Sequence, residues 1–147
     1  MNKPATIIMV EDDDGHARLI ERNIRRAGVT NQLIHFSDGA SAKIYFDGLQ
    51  QKPADAAPIL VLLDLNLPDM SGFEILEYLK MDSHLKRAPV IVLTTADDDT
   101  EIKRCYDLGC NVYITKPVDY EQFAAAVRQL GLFVSVVKVP DPMNGKS

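Results

Sequence analysis

Cysteine is scarce in this chain: Cys105 and Cys110 are the only two in 147 residues. They have no second pair and no nearby histidine, so neither a zinc site nor a disulfide framework is expected, and both are read as reduced thiols. No stretch approaches the roughly 20 apolar residues of a membrane span, and Met1-Asn2-Lys3-Pro4 leads into a strand-like segment without the apolar core of a secretory signal. A cytoplasmic protein with no membrane partner is expected. A basic excess is missing too, because 16 Lys and Arg stand against 21 Asp and Glu, for a net charge of −5. With a pI near 5.1, that balance argues against neutralising nucleic-acid phosphates over a large surface, so no nucleic-acid partner is expected. No internal repeat is visible, and the length suits one compact domain.

What the chain does have is five short apolar runs: Thr6–Val10, Gln32–Phe36, Ile59–Leu63, Val90–Thr94 and Val112–Thr115. Their hydrophobicity is continuous rather than alternating, as in strands covered on both faces. Helical spacing lies between them. Asp14 is expected to cap a first helix with Ala17, Ile20, Ile24 and Ala27 inward and Gly28 as its stop. A weaker helix is expected over about 40–49, a third over 72–81 with Ile75, Leu76 and Leu79 inward, and a fourth opening at Asp98 or Asp99 and ending near Gly109. Asp119 and Gln122 form a capping box for a fifth carrying Phe123, Val127 and Leu130. Alternating strands and helices predict an α/β fold: a doubly wound (βα)5 arrangement with a five-stranded parallel sheet in the order 2-1-3-4-5. Its ligand crevice lies at the carboxyl ends of strands 1 and 3.

Several ionisable side chains converge on that crevice. Strand 1 is followed by Glu11, Asp12, Asp13 and Asp14; Asp64 closes strand 3, Thr94 strand 4 and Lys116 strand 5. Clustered carboxylates either have raised pKa values or are neutralised by a hard divalent cation. An all-oxygen set of Glu11, Asp12, Asp64 and the backbone carbonyl of Asn66 suits Mg²⁺. Asp13 and Asp14, taken singly, read better as helix-start residues. Thr94 and Lys116 are not needed by a metal alone, but a phosphoryl group uses both while a carboxylate attacks phosphorus, which makes Asp64 the nucleophile.

The motifs V-E-D-D at 10–13, L-L-D-L-N-L-P-D-M-S-G at 62–72, V-L-T-T-A at 92–96 and Y-I-T-K-P at 113–117 together resemble the receiver domain of bacterial two-component response regulators, of flavodoxin-like topology. The resemblance covers about 5–130. It implies that Glu11 and Asp12 help bind Mg²⁺, that a sensor histidine kinase phosphorylates Asp64, and that Thr94 and Lys116 engage the phosphoryl group. It implies further that Thr94 and Tyr113 form a switch, and that Pro117 has a structural role in aiming Lys116 into the crevice. Many receivers have Ala where Thr95 stands, so less room for Tyr113 to turn is expected here.

After the fifth helix, residues 131–147 leave no room for an output domain, so a single-domain regulator is expected. Leu132, Phe133, Val134, Val136, Val137 and Val139 make this extension apolar, which points to a homodimer through helix 4, strand 5, helix 5 and the tail. The tail, the Gln50–Pro58 loop and P-V-I-V-L-T-T are similar to single-domain regulators that work with phytochrome-type light-sensing kinases. Those relatives carry Trp where Val134 stands. A bacteriophytochrome kinase, and a histidine phosphotransfer protein, are the partners this resemblance suggests.

Rival readings fit less well. A haloacid dehalogenase-type phosphatase needs a second acid where Asn66 stands, so turnover of external esters is not expected. A flavodoxin-like flavin protein would need a phosphate cradle where Glu11–Asp14 repel one. A calcium loop starting at Asp64 meets Pro68 and Asp69 where an oxygen ligand and a glycine are required. A degenerate receiver that serves only as an interaction module is the alternative from a different class.

Overall fold

Every residue of β3 (Ile59–Asp64) is buried, as in a central strand with cover on both faces. It is flanked by β1 (Thr6–Val10) and β4 (Val90–Thr94), with β2 (Leu33–Phe36) and β5 (Val112–Thr115) at the edges. All pairings are parallel and the order is β2-β1-β3-β4-β5, as expected. This computed structural model describes residues 5–50, 58–95, 98–116, 121, 122 and 125.

Alternation along each strand divides the core in two. Ile7, Met9, Leu60, Leu62, Ile91 and Leu93 pack on one face with Ala17, Ile20 and Ile24 of α1 (Asp14–Arg26). On the other face Ile8, Val61, Leu63 and Val92 meet Phe46 of α2 (Gly39–Gln50), Leu76 and Leu79 of α3 (Gly72–Met81), and Cys105 of α4 (Asp99–Asp107). At roughly 1.5–3 kcal/mol for each fully buried large side chain, these two layers are the main stabilising term. Among the described residues, no helix is long and apolar enough to cross a membrane.

Helix ends follow local chemistry, with one correction to the sequence reading. Asp13, not Asp14, caps α1, its carboxylate accepting the His16 amide at 2.9 Å. Gly28 (φ 91°) and Gly109 (φ 105°) adopt the left-handed conformation that ends α1 and α4. Ser71 caps α3 and Asp98 caps α4. Cys105 and Cys110 are free and buried, and burial pushes their thiols up to about 11 and about 12, so both are poor nucleophiles at neutral pH. Glu121, Gln122 and Ala125 are helical, while the apolar positions expected for the fifth helix, Pro117, and the tail 131–147 lie outside the described residues.

Candidate functional site

The parallel register brings the carboxyl ends of β1, β3, β4 and β5 to one rim of the sheet, and four of the residues expected there follow directly. Glu11 is the first residue after β1, Asp64 and Thr94 are the last of β3 and β4, and Lys116 is the first after β5. The Lys116 amide still donates to the Thr94 carbonyl at 2.8 Å, which fixes where the side chain starts. Gly72 sets the other wall. Its α-carbon lies so close to the Asp64 carbonyl and Leu65 that no side chain fits, and its amide donates to Leu65 O at 2.9 Å.

Lys116 Nζ sits between two carboxylates, 2.5 Å from Glu11 Oε1 and 3.1 Å from Asp64 Oδ2. The three side chains are 8%, 1% and 4% exposed, so these are desolvated, charge-assisted contacts. Burial disfavours the ammonium, yet hydrogen bonding to Glu11 and the charge of Asp64 override it and raise the Lys116 pKa above its ordinary value. Burial also pushes Glu11 up, against the pull of Lys116 and of the Asp13 amide, which donates to Glu11 Oε2 at 3.1 Å. Asp64 Oδ1 accepts the Asn66 amide at 3.0 Å. The Asn66 side chain in turn donates to Thr94 Oγ1 at 3.4 Å, a contact the sequence reading did not foresee.

Asp12 completes an acidic group. One oxygen each from Glu11, Asp12 and Asp64 lies within 4.8 Å of the others, with Asp12 exposed. Oxygens on opposite sides of a Mg²⁺ ion are roughly 4.2 Å apart, given metal–oxygen distances of about 2.1 Å. Three carboxylates against the one ammonium leave two formal negative charges, the complement of a dication. The donor set is all oxygen and hard, so the residues present fit Mg²⁺. Asn66 lies beside this cluster through its bond to Asp64.

Tyr113 is half-buried on β5 and packs against the second core cluster. Thr94 is fully buried and Thr95 exposed. His35 had no place in the sequence reading, yet its Nε2 lies 2.7 Å from the Glu11 carbonyl and ties edge strand β2 to the acidic turn. Its only sequence signal is a polar residue in an apolar run.

The chain is similar to proteins of known structure and sequence. A response regulator receiver domain from Rhodospirillum rubrum is 61% identical over 92% of this chain and 97% of that one, with a TM-score of 0.74. The bacteriophytochrome response regulator RtBRR is 32% identical over 98% of this chain and 88% of that one, with a TM-score of 0.79. Response regulator Rcp1 of Synechocystis is 36% identical over 115 residues, 78% of either chain, and Rcp1 has been solved in a Mn²⁺-bound form. The family model of the response regulator receiver domain matches residues 7–128. Fold, rim chemistry and these similarities agree: the chain belongs to the response regulator receiver family.

Proposed function

We propose that this chain accepts a phosphoryl group from a sensor histidine kinase onto Asp64. Phosphorylation and Mg²⁺ use are general to the family, whose members partner with histidine kinases. The observation that carries the assignment to Asp64 is its place at the centre of the rim, bonded at once to Lys116 and to the Asn66 amide and grouped with Glu11 and Asp12.

An Asp64 oxygen attacks phosphorus as the phosphorus–nitrogen bond of the donor phosphohistidine breaks. Lys116, whose ammonium lies 3.1 Å from Asp64 Oδ2, would meet the equatorial phosphoryl oxygens, and the Thr94 hydroxyl, which accepts from the Asn66 side chain, would engage the same group. Mg²⁺, when bound, neutralises charge on the group in transfer. Asp12, Asp64 and the Asn66 backbone carbonyl would hold it, with Glu11 acting through metal-bound water because its own carboxylate is engaged by Lys116. Thr94 and Tyr113 would then relay the change to the face formed by α4, β5 and the fifth helix. Incubation with acetyl phosphate and Mg²⁺ should add one phosphoryl group by intact mass, and a chelator should prevent it. A protein that stays unmodified under saturating conditions would be a receiver acting only as an interaction module.

The division of labour between the two acids has its own test. Asp12→Ala should weaken Mg²⁺ binding by more than Glu11→Gln, whose loss should be about tenfold, the lower end for an outer partner of a metal site. Equal affinities of both variants in a titration would count against it.

The similarity to RtBRR supports a place in phytochrome-type light signalling, and a phosphotransfer protein is a further candidate partner. Homodimerisation is supported by the apolar sequence of 131–147. Truncation after Leu130 removes Leu132, Phe133, Val134, Val136, Val137 and Val139, worth up to roughly 1.5–3 kcal/mol each if fully buried, less the cost of association. Light scattering should therefore show a full-length dimer and a truncated monomer. A full-length monomer at high micromolar concentration would eliminate the dimer.

A further inference from the structure

Asp69 lies outside the acidic group, on the segment between β3 and α3. Its Oδ1 accepts the Gly39 amide at 2.9 Å and its Oδ2 the Ala40 amide at 2.8 Å. These are the first two residues of α2, and their amides have no partner within the helix. Both bonds hold the Asp69 carboxyl below its ordinary range. Yet α2 carries a cap of its own, since Asp38 Oδ1 accepts the Ser41 amide at 2.7 Å. What Asp69 adds is a fixed link between the helix and a loop 30 residues away in sequence.

Packing points the same way. Gly39 approaches the loop so closely that a side-chain carbon there would lie 2.5 Å from Met70 Cγ and 2.7 Å from its Sδ. The loop is thus clamped at 69 and 70. Its near end bears Asn66, which donates its backbone amide to Asp64 and its side chain to Thr94. An antiparallel bridge between Asn66 and Ser71 closes the segment on itself, so a displacement at Asp69 reaches Asn66 within one tight turn.

We propose that Asp69 is a positioning residue for the metal site: by anchoring the β3–α3 loop to the start of α2, it holds the Asn66 backbone where its carbonyl serves the cation. The inference rests on the Mg²⁺-dependent phosphoacceptor reading above. Its test is calorimetric titration of the unphosphorylated full chain with Mg²⁺, alongside circular dichroism to compare helix content.

Asp69→Ala should raise the Mg²⁺ dissociation constant by about tenfold, the lower end for outer partners of a metal site. Asp69→Asn keeps one acceptor oxygen and should fall between that variant and the native chain; it also provides the measurement if the alanine variant does not fold. Asp38→Ala removes a cap of the same helix that is not tied to the loop, and should leave the constant within about twofold of native, below any outer-partner effect. An Asp69→Ala constant within that margin, or an equal loss in Asp38→Ala, would overturn the positioning role. A native chain that binds no Mg²⁺ would instead bring down the phosphoacceptor reading, and this inference with it.

Discussion

Asp64→Asn is expected to leave the chain folded but unable to gain a phosphoryl group from acetyl phosphate. The substitution preserves volume and keeps an oxygen for the Asn66 amide, now 3.0 Å from Asp64 Oδ1. It removes the anionic nucleophile and one of the two charges that hold Lys116. Because an amide is a far weaker nucleophile than a carboxylate, the rate should fall by more than about a hundredfold, or roughly 2.7 kcal/mol of barrier. Intact mass over a time course decides this. A variant that takes up a stable phosphoryl group at a rate comparable to native would show that another residue is the acceptor.

Lys116→Ala should have the largest effect on stability. Nζ is the cation shared by two nearly fully buried carboxylates, and its removal leaves Glu11 and Asp64 facing each other unscreened. Breaking a buried pair in this way costs about 3–5 kcal/mol, most of it from the charges left behind. Mg²⁺ should restore part of the loss, since it supplies positive charge to the same carboxylates. Its affinity should not fall, because the ammonium only repels the ion. Phosphoryl transfer should be slow even at saturating Mg²⁺. Denaturant titrations with and without Mg²⁺, read with the acceptance rate, test all three effects. A large loss of Mg²⁺ affinity, or a native acceptance rate, would refute the role.

The sheet was legible because parallel strands buried on both faces leave an unbroken apolar run, and β4 and β5 coincide with the runs Val90–Thr94 and Val112–Thr115. The rim residues were legible for the same reason: each stands where an apolar run stops. The cap of α1 was misplaced because Asp12, Asp13 and Asp14 are chemically alike in sequence. What separates them is side-chain hydrogen bonding within the turn itself: Glu11 Oε2 accepts the Asp13 amide, and the Asp13 carboxylate accepts the His16 amide. The contacts of Asp69 and His35 were not legible because their partners, Gly39 and Glu11, are 30 and 24 residues distant. No periodicity or local motif encodes such a pairing. Pro117 and the apolar tail are expectations that the described residues do not reach.

The strand order has a consequence for the protein's synthesis. Asp64 is made early, but the lysine bonded to it comes 52 residues later, directly after a strand that pairs with β4 and not with β3. Parallel, long-range pairings of this kind close late, because chain entropy must be lost before the contacts form. A nascent chain still lacking β5 would have the nucleophile without its ammonium, and two mutually repelling acids in its place. On the phosphoacceptor reading proposed above, competence to receive the signal would therefore coincide with completion of the fold, and a partly synthesised or locally opened chain would be silent toward its phosphodonor rather than wrongly switched on.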